Sequence, residues 1–331
     1  MKRTAISMLF GKVLLGFTVL LLVGVVPIRA QEKVMKVRIS YPSPSICCLS
    51  LFAAHQWKIF HENGIDAEII QARSQAANAA LMSGDIQYVA GVGPNSVMAT
   101  LRGMPTRAVW FASNKSIYSL IAKNDIRSLK ELRSKRIGVS GLGGTSEVSL
   151  KIALEAEGEN PRNFIIVAVG GRELIAALAA GSVDAVQLNP PFIYYAKKQG
   201  FREVLNVGAH VEMPLGGLTT LLATIQEHPD QVRRVIRSIQ QAKDLMLKSK
   251  SRSIDLISKF LKVDRETAAD TFELYAATVS ESGVPTRSGM AKVVKAIHML
   301  GQLKDKKVSF EDVADDKIAR EVAKELGYKL N

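Results

Sequence analysis

A chain of 331 residues can bury a large core and divides most naturally into two domains. Hydrophobic residues make up 47% and charged residues 23%, an ordinary globular balance rather than that of a disordered chain. A net charge of +13 makes nucleic acid, anionic lipid and anionic ligands the partner classes to weigh, and two cysteines exclude a disulfide framework or a zinc site.

Lys2, Arg3 and Lys12 give a positive start, and Val13 to Val26 is an uncharged run rich in Leu and Val. Pro27 breaks the run, and Ala30 offers a small residue for cleavage. That run is shorter than the roughly 20 residues a membrane span needs. A cleaved secretory signal over residues 1–30 is therefore expected, an uncleaved anchor being the rival. Losing the four cations of that segment, Lys2, Arg3, Lys12 and Arg29, takes +13 to +9. Export makes nucleic acid the poorest of the candidate partners. Later apolar runs are shorter still, which predicts a soluble mature chain.

Beyond the signal the chain repeats itself. A slide of 97 residues places Ala80-Leu81 on Ala177-Leu178, Gly84 on Gly181, Ile86 on Val183, Val89 on Val186 and Pro94 on Pro191. It also places Ile69-Ile70 on Ile166-Val167, while a slide of 100 puts Val37, Ile39 and Ser40 on Ile137, Val139 and Ser140. Short β-rich runs predict strands at Val37 to Tyr41, Ala67 to Gln71 and Ile86 to Val92, then at Ile137 to Ser140, Phe164 to Val169 and Val183 to Leu188. Helical patterns separate them. In the first, Ala53, Trp57 and Phe60 share an apolar face, which makes Trp57 a core residue. Strands alternating with helices predict an α/β chain with a mainly parallel sheet in each copy. Cys47 and Cys48 are neighbours, a spacing poorly suited to a disulfide, so two buried free thiols are expected.

Between the copies, Arg107 to Ser113 and Ser116 to Lys123 read as extended and are expected to cross from one lobe to the other. Leu218 to Thr224 is expected to cross back. Ser128-Leu-Lys-Glu131 is a capping-box pattern that starts a short helix. The remainder is helical: from Pro229, with Val232, Val235, Ile236, Ile239 and Met246 on one face; around Ser253 to Leu261; from Asp264 to about Thr278; through Met290, Val293, Val294, Ile297 and Leu300; and near Asp316 to Leu326. These helices are expected on the first lobe. The basic residues Arg233, Arg234, Arg237, Lys243, Lys248, Lys250 and Arg252 fall among them, as a solvated face or as a contact with a membrane or a membrane protein. Two α/β lobes joined by two crossing segments make a clamshell.

In open α/β sheets a ligand lies beyond the carboxyl ends of the strands, which directs attention to paired loops. After the first strands come Tyr41-Pro-Ser43-Pro-Ser45 and Gly141-Leu-Gly143-Gly144-Thr145-Ser146. Each is rich in small or hydroxyl residues and precedes a helix, whose first N–H groups lack partners. Gly143 and Gly144 would allow close approach of a ligand to the backbone. Capping by Ser or Thr also accounts for each loop taken alone. After the second strands come Arg73-Ser74-Gln75 and Gly170-Gly171-Arg172, where Arg172 either grips an anionic group or is merely solvated. After the third come Gly93-Pro94-Asn95-Ser96 and Asn189-Pro190-Pro191, with amides for a ligand or for turn formation. His55, His61, His210, His228 and His298 have no metal-ligand spacing, and no nucleophile elbow occurs. No enzyme activity and no cofactor are expected.

Several stretches in order are Val37-Arg-Ile-Ser-Tyr-Pro-Ser43, Asn63-Gly-Ile-Asp-Ala-Glu68, Leu81-Met-Ser-Gly-Asp-Ile86, Ser128-Leu-Lys-Glu-Leu-Arg-Ser-Lys-Arg-Ile-Gly-Val139, Gly143-Gly-Thr-Ser146, Ala179-Ala-Gly-Ser-Val-Asp184 and His228-Pro-Asp230. Together they resemble the substrate-binding proteins of the sulfonate, taurine and nitrate importer family, which also includes binders of thiamine-pyrimidine precursors. The resemblance covers about residues 34 to 328. It implies a periplasmic-binding-protein fold of the second type, with lobe 1 from 34–113 plus 218–331 and lobe 2 from 114–217. It further implies a periplasmic, monomeric protein that holds a small anionic molecule and hands it to an ABC permease and its ATPase. Carried onto this chain, the ligand positions are Ser43 to Ser45, Ser74-Gln75, Gly93 to Ser96, Gly143 to Ser146, and Asn189. The family's pyrimidine-synthesising enzymes carry a denser cysteine run than Cys47-Cys48, which argues against such an enzyme. An enzyme on the same fold and a ligand-presenting sensor partner are the alternatives. Leu142, Pro190 and Pro191 make the site less polar than a dedicated sulfonate site.

Overall fold

In Met35–Tyr41 (β1), Val37 and Ile39 are buried while Lys36 and Arg38 face solvent, the period of two that a half-buried strand requires. The protein is described here by a computed structural model covering residues 34–72, 74–171, 173–299, 301–303 and 306–330. The signal expected over 1–30, the candidate ligand residue Arg172 and the helix residue Leu300 lie outside the described residues.

After β1 come α1 (Leu49–Gln56), α2 (Ile59–Glu62), β2 (Ile65–Gln71), α3 (Ser74–Ser83), β3 (Tyr88–Val89), α4 (Pro94–Leu101) and β4 (Thr106–Phe111). The next stretch holds β5 (Ser119–Ala122), β6 (Arg136–Val139), α5 (Thr145–Ala156), β7 (Ile165–Ala168), α6 (Leu174–Ala179), β8 (Ala185–Leu188), α7 (Phe192–Lys198) and β9 (Arg202–Leu205). The chain then adds β10 (Gly217–Leu221), α8 (Leu222–Glu227), α9 (Pro229–Lys248), α10 (Lys250–Leu261), α11 (Arg265–Thr278), α12 (Arg287–Met299) and α13 (Lys317–Glu325).

The strands form two five-stranded sheets of the same topology, β2-β1-β3-β10-β4 and β7-β6-β8-β5-β9. In each, three strands run parallel, and the fourth enters antiparallel between the third and the edge. That antiparallel strand is exchanged: β5 follows β4 of the first sheet, and β10 follows β9 of the second. The α/β clamshell architecture expected from the alternation is present. All four residues of β8 are buried, as a strand covered on both faces should be.

The repeat needs one adjustment. Ile39 pairs with Ile69, and Ile137 pairs with Ile166, so Ile39 is the counterpart of Ile137. The first strands are therefore offset by 98 residues and not by the 100 expected from the sequence. A slip of two leaves every side chain on its face, so alternation alone cannot detect it.

The crossings also lie elsewhere than expected. Arg107 to Phe111 and Leu218 to Leu221 are strands of the first sheet, paired with each other, and Ser119 to Ala122 belongs to the second. Residues 112–118 and 206–216 connect the sheets. They are laced together by Leu215 N–H to Ser113 O at 3.0 Å, Ser116 N–H to Val211 O at 2.9 Å and Gly208 N–H to Tyr118 O at 3.1 Å. Their backbone polar groups thus find partners outside either sheet, which explains why extended β-rich runs beside them were poor markers of the crossing itself.

Pro229 opens α9 at its first turn, and Val232, Val235, Ile236, Ile239 and Met246 are fully buried along its stripe. The α9, α10, α11 and α13 faces share one core with β1 and α1. Asp264 caps α11 by accepting from Thr267 N–H at 2.8 Å. α12 packs against α4 and also reaches α5 beside the second sheet. The capping box expected at Ser128 does not form: the short helix is a 3-10 turn, Lys130–Leu132, that starts after Leu129 without a side-chain cap, and Glu131 within it accepts instead from Arg127 N–H at 3.1 Å and Ser128 Oγ–H at 2.9 Å. Trp57 is half buried and packs against the core shared by β1, α1 and α9, with Arg252 stacked on its ring at 4.3 Å. No helix among the described residues is long and apolar enough to cross a membrane.

Candidate functional site

The segments that follow β1, β2 and β3 and those that follow β6, β7 and β8 all border a single cleft of about 1740 Å3. The pairing of rims follows from the shared topology, because parallel strands end their loops on one side of a sheet.

On the first-sheet side, Tyr41, Ser43 and Ser45 line the cleft. Tyr41 stands edge-on to Phe52 with ring centroids 4.9 Å apart, and Phe260 lies 3.7 Å from Phe52. Phe260 arrives from the end of α10, so a late helix completes the wall of an early loop. Gly93, Asn95 and Ser96 at the head of α4 also line it. Ser96 Oγ accepts from Gly93 N–H and donates to Gly93 O, both at 3.1 Å, so its hydroxyl fixes the helix start.

From the second sheet come Ser140, Thr145, Gly170, Gly171, Gln187, Asn189 and Phe192. Gly144 lies close to the Asn95 amide of the facing rim, so the heads of α4 and α5 adjoin across the cleft. Gly143 has a φ of +74°, and its N–H donates to Glu147 Oε2 at 2.6 Å. This glycine therefore serves the turn, and its amide is already used within the loop.

The candidate residues divide accordingly. Tyr41, Ser43, Ser45, Gly93, Asn95, Ser96, Thr145 and Asn189 line one cleft. Gly143 and Gly144 shape the loop beside it. Ser146 is set behind the wall, buried, with its hydroxyl accepting from Ser140 N–H at 3.1 Å and Ser140 Oγ–H at 3.0 Å. Ser74 begins α3, its side chain lying outside what is described; Gln75 is exposed on the same helix, and Ala77 and Asn78 line the cleft.

Several lining residues escaped the sequence reading. Cys47 simply continues the hydroxyl loop, and Tyr118 and Leu215 come from the two crossings. Gln187 carried a usable signal: it is a polar residue inside the apolar strand Ala185–Leu188, two positions before Asn189 and hence on the same face. Phe52, Phe260 and Lys262 carried none, since only folding brings the end of α10 to the rim.

The cleft is weakly charged. Among the described lining residues, the ionic side chains are Glu173 and Lys262, both exposed. The anionic ligand expected from the sequence thus meets no buried cation among the described residues. Both cysteines are free. Burial, reinforced by the neighbouring Cys48, pushes the Cys47 thiol far above the ordinary range, and burial pushes Cys48 up to about 11. Neither is a thiolate near neutral pH. No cluster of metal-ligating side chains occurs among the described residues.

Comparison with known proteins places these features. Residues 48–252 match the family described as NMT1/THI5 like. A Brucella abortus relative whose name offers a binding role, without a ligand, is 24% identical over 221 residues; the match covers 62% of this chain and 66% of that protein. The nitrate-binding protein NrtA of Synechocystis PCC 6803 is 14% identical with a TM-score of 0.76, covering 89% of this chain and 90% of that one. The alkanesulfonate-binding protein SsuA of Xanthomonas axonopodis pv. citri, bound to MOPS, is 18% identical with a TM-score of 0.72, covering 85% and 98%. The desulfurization enzyme DszB shares the fold as well, at 14% identity and a TM-score of 0.66, covering 88% and 99%.

Proposed function

The chain belongs to the NMT1/THI5-like family, and from that premise we propose that it is an extracytoplasmic solute-binding protein of an ABC importer. The observation that carries the reading is the pair of topologically identical sheets whose loops border one cleft and whose chain connections among the described residues, 112–118 and 206–216, are hydrogen-bonded to each other. Such a pair of linkers can flex as one hinge. The lobes are then 34–113 plus 218–331 and 114–217.

The mechanism is capture by closure. A small molecule bridging Tyr41, Ser43 and Asn95 on one rim and Thr145 and Asn189 on the other favours the closed arrangement by its differential contacts. Micromolar affinity corresponds to roughly −8 kcal/mol. A few hydrogen bonds at about 0.5–1.5 kcal/mol each, with stacking on the aromatic wall, supply the order of magnitude needed. A permease would recognise the closed shape. The periplasm, a cleaved signal and a monomeric state complete the reading.

A binding role is preferred to catalysis because, among the described lining residues, the ionic side chains are the exposed Glu173 and Lys262, and both thiols are held protonated. A melting screen of the purified protein against sulfonates, carboxylates, nitrate and heteroaromatic compounds tests the proposal. A saturable rise in melting temperature, with the compound recovered intact, supports capture. Turnover of the stabilising compound would replace it with an enzyme reading.

A further inference from the structure

Gln187 sits in β8 at 1% exposure, where it lines the cleft. Its amide has a defined orientation. Ser149, fully buried behind it, donates its hydroxyl hydrogen to Ser146 O at 3.1 Å. Only lone pairs of Ser149 Oγ remain for Gln187, and the amide nitrogen takes one at 2.8 Å. A flipped amide would set oxygen against oxygen unless Ser149 gave up its bond to Ser146 O. The side-chain nitrogen is therefore turned to the protein, and Oε1 is left with no partner among the described residues.

A buried amide oxygen without a donor is unfavourable, and the polar groups of native interiors rarely tolerate it. Gln187 lines the cleft, which is the side from which a ligand's donor reaches its amide. We infer that Gln187 Oε1 is a specificity-determining acceptor that selects an uncharged ligand carrying an N–H or O–H donor, in preference to a fully ionised oxyanion. The inference rests on the capture reading above and refines its ligand. Two further features agree: the exposed Glu173 carboxylate disfavours an anion, and Tyr41, Phe52 and Phe260 offer an aromatic wall to a flat apolar body. An oxyanion placed against Oε1 would meet lone pair with lone pair, whereas an amide or hydroxyl completes the one bond the site lacks. Ser149 is a positioning residue: without its hydroxyl the amide is free to turn and present N–H to the cleft.

Two matched pairs of probes isolate this property: benzamide with benzoate, and benzenesulfonamide with benzenesulfonate. Each pair keeps the ring and exchanges a donor-bearing neutral group for an oxyanion. Calorimetric titration of the purified protein should show the neutral member of each pair bound at least about tenfold more tightly, the scale set by one unsatisfied polar group. Gln187→Met keeps the volume and removes the acceptor, and should erase most of that preference. Ser149→Ala should narrow it by admitting the anions better. Equal or tighter binding of the oxyanions by the unsubstituted protein overturns the inference, as does an undiminished preference in Gln187→Met. If Gln187→Met fails to fold, Ser149→Ala decides, and an unchanged preference there overturns it. Failure of all four probes to bind overturns it too, while stabilisation by nitrate or a sulfonate in the wider screen would leave the capture reading standing.

Discussion

Gly93 at the head of α4 and Thr145 at the head of α5 meet across the cleft, so closely that a Cβ built on Gly93 would lie 2.8 Å from Thr145 Oγ1. The backbone at Gly93 is extended, with φ of 173°, a conformation open to any residue. The glycine is required by its neighbour and not by its torsion. Thr145 is β-branched and turns its hydroxyl aside with difficulty. Gly93→Ala should therefore leave the folded protein intact and hold the rims apart. An overlap of this kind costs about 1–3 kcal/mol, which corresponds to roughly five- to 150-fold weaker binding of whichever compound the screen returns. Removing the opposing hydroxyl with Thr145→Ala in the same chain should restore part of the loss. Unaltered affinity in Gly93→Ala would mean that the rims need not approach this closely.

A second contact ties the far end of α7 to the helices of the first core. Lys198 Nζ lies 2.9 Å from Glu266 Oε2 and 3.5 Å from Asp264 Oδ2. The Thr267 backbone N–H, then its hydroxyl, then Lys198 hold the Asp264 carboxyl below the ordinary carboxylate range. A carboxyl depressed in the folded state contributes stability above its unfolded value, near 3.9, and loses it as pH falls through the lower folded value. Denaturant unfolding followed from pH 7 to pH 2 should therefore show wild-type stability declining below about pH 4. Asp264→Asn keeps a capping side chain but has no proton to bind, so its decline over that interval should be shallower. Identical slopes would remove Asp264 from the acid response.

The fold was legible because its signals are periodic and local. Val37 and Ile39 alternate, the α9 stripe repeats at helical spacing, and Asp264 stands where a cap should. The rim loops were legible for a topological reason, since strand ends of parallel sheets converge. What failed was whatever depends on a partner remote in sequence. The extended run at Leu218 looked like a linker, yet it is the strand that β3 and β4 enclose. Ser146 looked like a ligand donor, yet packing buries it behind the wall, where its hydroxyl accepts from Ser140. Phe260 joins Tyr41 and Phe52 only because α10 returns to the rim. Gln187 was the exception, a polar residue in an apolar strand whose meaning the alternation could have disclosed.

Cys47 offers a reporter for occupancy of the cleft. It is half-buried at the wall, whereas Cys48 is buried and contacts Ser45 Oγ at 3.7 Å. Because burial keeps both thiols protonated near neutral pH, alkylation by iodoacetamide at pH 8 should be slow at either site. Reaction at Cys48 should rise roughly tenfold per pH unit, its thiolate fraction growing until pH nears 11. Peptide mass spectrometry should show a bound ligand slowing the modification of Cys47 further, since that thiol is the half-buried one at the wall. Rapid labelling of both thiols at pH 8 would mean that this wall opens far more than its packing allows.

Gly217 begins β10 directly after the return crossing, and its surroundings leave no room for a side chain. Its φ is +144°, and a Cβ there would lie 2.1 Å from Trp110 O and 2.9 Å from Val92 Cγ2. The carbonyl belongs to β4, whose Trp110 pairs with Leu218, so relief requires the strand itself to move. Gly217→Ala combines a torsion that L side chains rarely adopt with a backbone overlap, each costing about 1–3 kcal/mol. The expected loss is at least about 2 kcal/mol, or a fall in melting temperature of roughly 3 °C for a chain of this size. Gly84→Ala supplies the control. Its φ of +82° carries the same kind of torsional cost, but nothing lies within 4 Å of the added atom, so its loss should stay near 1 kcal/mol. The difference between the two variants measures how firmly β10 is seated on β4, and hence how rigidly the return crossing is anchored where the lobes pivot. Equal losses would show that the seat yields, and a hinge fixed at 206–216 would then have no firm end from which to turn.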